Sequence, residues 1–176
     1  AFGAHVDQRK SMSAIADDYF QDLVNGRHKI DVLLGGGADW FIRKERNLVE
    51  EFVKDGYSYV TNLKEMKDDH SSQVLGLFAK GGLPKMIDRP NDVPSLADMT
   101  ASAIERLNKN DNGFFLMVEG SQIDWAAHDN DIVAVMSEME DFEMAFKAAI
   151  DFAKKDGHTL VIATADHSTG GYSIGA

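Results

Sequence analysis

Two predominantly apolar runs constrain this chain more than any other feature. Phe114–Val118 (FFLMV) and Thr159–Thr164 (TLVIAT) carry no charge, and turn residues precede both, Asn112-Gly113 and Gly157. Short apolar runs bounded this way read as strands buried on both faces, the kind found in parallel sheets covered by helices. Each run leads directly into acidic residues and a histidine.

The rest of the chain alternates helical and strand-like patterns, the signature of an α/β fold. Ser11–Asn25 places Ile15, Tyr19, Leu23 and Val24 at helical spacing, with Gly26 as its stop. Ile30–Leu34 reads as a buried strand closed by Gly35-Gly36-Gly37. Asn47–Lys54 follows as a helix, then Tyr57–Val60 and Gln73–Ala79 as strands. Leu83–Val93 has no clear period and holds two prolines, so it reads as a surface loop. Ser95 caps a helix over Leu96–Leu107, with Pro94 fixing the entry and Asp98 at the third helical position. Asp131–Lys155 is a long amphipathic helix with Val135, Met139, Phe142, Phe146 and Ile150 on one side, stopped by Gly157. The expected architecture is three-layered, a largely parallel sheet between helices, with residues 1–176 forming part of one domain.

In sheets of this kind, ligands bind beyond the carboxyl ends of the strands. Phe114–Val118 is followed there by Glu119, Asp124 and His128, and Thr159–Thr164 by Asp166 and His167. Asp124 and His128 are four residues apart, so on a helix they share a face and can chelate one ion. Adjacent Asp166 and His167 suit a turn. Carboxylate oxygen with imidazole nitrogen fits zinc, manganese or iron, whereas Glu119, offering oxygen alone, suits magnesium. Carboxylates brought this close repel unless cations lie among them.

Composition narrows the alternatives. The 176 residues include no cysteine, which excludes disulfides and thiolate metal sites. A net charge of -11 opposes non-specific nucleic-acid binding, which needs basic residues to replace counterions. It does not oppose a small anionic substrate, because clustered cations make a locally positive site on a negative protein. The apolar runs are too short to span a membrane. Gly35-Gly36-Gly37 lacks the spacing of a phosphate loop and reads as a backbone turn. Ser168 and Thr169 have no base beside them, which favours a supporting or turn role over a nucleophilic one. His5, His28, His70 and His158 have no partner at ligand spacing.

EGSQIDWAAH and TADHSTGG resemble two signature segments of the alkaline phosphatases, and DVLLGGGADWF resembles a third. The opening AFGAHVDQRK is similar to the segment that carries the family's phosphate-binding arginine, here Arg9. The resemblance runs in the family's order from the first residues to the last. It implies hydrolysis of small phosphate monoesters through a phosphoserine intermediate. Asp124 and His128 would hold one zinc, Asp166 and His167 a second, and Glu119 a magnesium. Arg9 would grip two phosphate oxygens with its planar fork.

The resemblance further implies a homodimeric parent that is periplasmic or secreted. The family's nucleophilic serine, an earlier bridging aspartate, a threonine before the arginine segment and a later histidine have no counterpart in the sequence. The expectation is therefore the later portion of a larger catalytic domain, inactive alone. Trp125 stands where some relatives carry a basic residue. Two other readings fit the same residues: a metal-dependent phosphodiesterase or sulfatase, and a non-catalytic metal-binding domain.

Overall fold

A computed structural model of the chain describes residues 3–173. The chain divides into two compact units, Ala1–Leu83 with Arg106–Gly113, and Pro84–Glu105 with Phe114–Ala176.

The first unit is built on a parallel sheet of β3 (Val32–Gly35), β4 (Ser58–Val60) and β5 (Val74–Leu77) in the order β3-β5-β4. Val32 pairs with Val74 on one side of β5, and Ser58 pairs with Val74 on the other. All four residues of the central strand β5 are buried, as expected for a strand covered on both faces. Helices α1 (Met12–Gln21), α2 (Ala38–Phe41) and α3 (Leu48–Lys54) supply Ala16, Phe41, Leu48 and Phe52 to a core shared with Tyr57 and Leu75. Phe52 meets Phe20 and Tyr57 edge-on, with ring centroids 5.0 and 4.9 Å away. Each such fully buried large side chain contributes about 1.5–3 kcal/mol of burial. A short helix α4 (Leu63–Asp68), which the periodicity did not indicate, is capped by Asn62, whose side chain accepts from the Glu65 amide at 2.9 Å.

Two details of this unit depend on glycine. A Cβ on Gly36 would lie 2.0 Å from the Gly81 carbonyl oxygen, and the next residue, Gly37, at φ 97°, donates its amide to that same oxygen at 2.7 Å. The triple glycine is thus a turn that lets two backbone segments touch. The helix expected over Ser11–Asn25 ends at Gln21 instead, because β1 (Leu23–Val24) and β2 (Arg27–His28) form a two-residue hairpin across Asn25-Gly26. Both turn residues have positive φ, 51° and 76°, the conformation that Asn-Gly favours in such hairpins.

Helix α5 (Leu96–Leu107), whose residues up to Glu105 belong to the second unit, opens with the expected reciprocal cap. The Asp98 amide donates to the Ser95 hydroxyl at 2.9 Å, and the Ser95 amide donates back to the Asp98 carboxylate at 3.2 Å. Helix α6 (Ser121–His128) is followed by the long helix α7 (Ile132–Asp156), capped by the Asp131 carboxylate on the Ala134 amide and terminated by Gly157 at φ 75°.

The two apolar runs depart from expectation. Among the described residues, neither Phe114–Val118 nor Thr159–Thr164 enters a β-ladder. Phe114, Leu116, Val118 and Val161 are half-buried, while Phe115, Leu160 and Ile162 are 74%, 82% and 76% exposed. That alternation is a strand's period of two with only one face covered. A ladder needs repeated backbone pairing, and the described sheets include neither run.

Candidate metal centre

Helix α6 is where the acidic and histidine residues acquire geometry. Gly120 precedes it and admits the Phe142 ring, which a Cβ there would meet at 2.9 Å. The helix then places Asp124 and His128 one turn apart, with Asp124 Oδ2 3.6 Å from His128 Nε2. Burial varies around this turn: Ala126 and Ala127 are buried, Asp124 is half-buried, and Trp125 and His128 are exposed.

Asp166 and His167 lie on the exposed turn that follows the second apolar run, with Asp166 Oδ2 3.6 Å from His167 Nε2. This turn is docked onto α6. Gly170, at φ 78°, lies so close that a Cβ would sit 2.7 Å from the Ala127 carbonyl oxygen. The Thr169 hydroxyl then bridges the two groups, 2.6 Å from Asp124 Oδ1 and 3.0 Å from His167 Nδ1.

The structure therefore brings Asp124, His128, Asp166 and His167 into one neighbourhood as two Asp/His pairs joined through Thr169. Glu119 lies outside this network, exposed ahead of α6. Among the described residues, no three histidine or acidic side chains close around one metal position. The donor chemistry nonetheless suits zinc, since each pair offers carboxylate oxygen and imidazole nitrogen with no sulfur.

The turn after His128 is held by charges that composition did not single out. Lys85 Nζ lies 3.1 Å from Asp129 and 3.5 Å from Asp131. The Met86 amide donates to Glu138 at 2.5 Å, and Arg89 pairs with Asp141. Glu138 and Asp141 are buried on α7. Burial pushes the Glu138 carboxyl above its ordinary value, with the Met86 amide opposing and Asp141 adding to the rise. These contacts pin the irregular segment from Pro84 to Pro94 onto α7.

In the first unit, Arg9 is exposed at the edge of a cavity of about 460 Å³ that is also lined by Ile15, Tyr19, Gly37, Trp40 and Phe41.

The family model for alkaline phosphatase matches residues 1–176, the whole chain. This chain belongs to the alkaline phosphatase family. Alkaline phosphatase 3 of Bacillus subtilis is 72% identical over 176 residues, which are all of this chain and 38% of that protein. The cold-active alkaline phosphatase of a Shewanella species superposes with a TM-score of 0.89 at 40% identity, covering 99% of this chain and 42% of that one. A substituted form of the TAB5 alkaline phosphatase, solved with Mg bound, superposes with a TM-score of 0.80 at 35% identity over 97% of this chain and 48% of that one. The fold is accordingly the α/β fold of the alkaline phosphatases, and the chain spans less than half the length of these relatives. No described helix is long and apolar enough to cross a membrane.

Proposed function

We propose that this chain supplies the Asp/His metal ligands of a longer, metal-dependent phosphomonoesterase. The observation that carries the reading is the Thr169 bridge, which joins two Asp/His pairs from segments far apart in a chain of this family. Asp124 and His128 hold one zinc, Asp166 and His167 a second, and Glu119 serves a magnesium. Such ions activate an attacking oxygen and stabilise a leaving one. The substrate is a small phosphate monoester.

This chain's own groups orient and bind. Helix α6 fixes Asp124 and His128 one turn apart, the Gly170 contact seats the second pair beside them, and Arg9 grips two phosphate oxygens. The serine nucleophile, which becomes phosphoserine in the intermediate, comes from outside this segment, in a protein that is exported and dimeric like the family's expected form. The magnesium in the TAB5 relative supports the cation requirement. Exposure of Leu160 and Ile162 supports the need for further sheet.

The test is hydrolysis of an aryl phosphate with zinc and magnesium present. A full-length protein containing this segment turns over and loses activity to a chelator, while the 176-residue chain alone has negligible activity. A rate for the isolated chain near that of a full-length relative overturns the division of labour. Undiminished activity in excess chelator overturns the metal requirement.

A further inference from the structure

We infer that Thr169 is a positioning residue that sets the tautomer of His167 and the orientation of Asp124, and so selects which atoms of the two Asp/His pairs face a cation. The purpose rests on the metal-dependent reading above, whereas the geometry does not.

A threonine hydroxyl carries one proton, and an ionised carboxylate only accepts. With Oγ1 2.6 Å from Asp124 Oδ1, that proton goes to Asp124. Only lone pairs remain for His167 Nδ1 at 3.0 Å, so the hydrogen in that contact belongs to Nδ1. In a neutral imidazole, a hydrogen on Nδ1 leaves the lone pair on Nε2. Nε2 is the atom that faces Asp166 Oδ2 at 3.6 Å. Two basic atoms then face each other, an arrangement that a shared cation relieves.

On the other side of the bridge, Oδ1 of Asp124 is engaged by the hydroxyl, while Oδ2 is the oxygen turned to His128 Nε2 at 3.6 Å. One side chain thus orients both pairs. Its reach is set by the backbone, because Gly170 packs against the Ala127 carbonyl where no other residue fits without strain. Supporting hydrogen bonds to a ligand imidazole commonly fix its tautomer in this way.

The experiment uses the metal-free 176-residue chain with ¹⁵N-labelled histidine at alkaline pH, where imidazoles are neutral. Long-range proton–nitrogen correlation reads the tautomer, and the His167→Ala spectrum assigns the signals. Wild type and Thr169→Ser should show His167 with hydrogen on Nδ1. Thr169→Val, which keeps the shape and removes the hydroxyl, should shift it toward Nε2–H. The Nε2–H form in wild type, or an unchanged tautomer in Thr169→Val, overturns the inference. Zinc titration of the same samples should show about 10- to 100-fold weaker binding for Thr169→Val and little change for Thr169→Ser. Equal zinc affinity in wild type and Thr169→Val overturns the positioning role. Absence of zinc binding in wild type overturns the metal reading while the tautomer result stands.

Discussion

The Thr169 hydroxyl lies 2.6 Å from the carboxylate of Asp124, a residue 45 positions earlier in the chain. The contact links the turn after the second apolar run to the helix after the first. The residue following Thr169 is the glycine that rests against α6.

Gly36 and Gly35 are neighbours with opposite tolerance. Gly36→Ala drives a methyl into the Gly81 carbonyl oxygen, whereas a Cβ on Gly35 meets nothing within 4 Å. Urea unfolding should show Gly36→Ala destabilised by about 1–3 kcal/mol or more, as overpacked sites are. Gly35→Ala should stay within about 0.5 kcal/mol of wild type. Similar losses for both would show that the close approach is not what the turn requires.

Arg106 is only 4% exposed and donates to the Asp69 carboxylate at 2.7 Å and to the carbonyls of Asp69, Ser71 and Met66 at 2.6, 2.5 and 3.1 Å. Arg106→Ala strands these acceptors and should cost about 3–5 kcal/mol in equilibrium unfolding. Burial lifts the Asp69 carboxyl, but hydrogen bonds from Arg106, Ser58 and Ser71 outweigh it and hold the group below its ordinary value. A depressed carboxyl stabilises the fold fully above the unfolded value of about 3.9, and the contribution disappears as pH falls through the folded value. Asp69→Asn should flatten the acid limb of the melting temperature against pH. An unchanged acid limb would contradict the assignment.

Much of the fold was legible where the signal is local. Ser95 with Asp98 and Gly157 each announce a helix end through side-chain or backbone chemistry within a few residues, and the structure follows them. Asn25-Gly26 carried an equally local hairpin signal that helical periodicity over Leu23 and Val24 overrode. The apolar runs failed for a different reason: sequence shows what a segment can bury, but a ladder depends on neighbours that are not local in the chain. At the site, the spacing of Asp124 and His128 indicated a shared helical face. The reach of Thr169 did not show, because it depends on a turn docking against a helix 45 residues away in sequence.

Leu160 and Ile162, two residues apart, are apolar and 82% and 76% exposed. Exposed apolar surface of this kind promotes association. Sedimentation velocity of the isolated chain should show concentration-dependent self-association, reduced by Leu160→Lys together with Ile162→Lys. A monodisperse monomer at high concentration would argue that these side chains find cover within one molecule.

Calorimetric zinc titration of the 176-residue chain and its single variants tests the account most directly. Wild type should bind zinc weakly, with Asp124→Ala, His128→Ala, Asp166→Ala and His167→Ala each weakening binding about tenfold or more and His70→Ala and His158→Ala leaving it unchanged. Zinc affinity indifferent to the first four substitutions, or no zinc binding at all, would contradict the claim that the two Asp/His pairs joined through Thr169 are a metal centre.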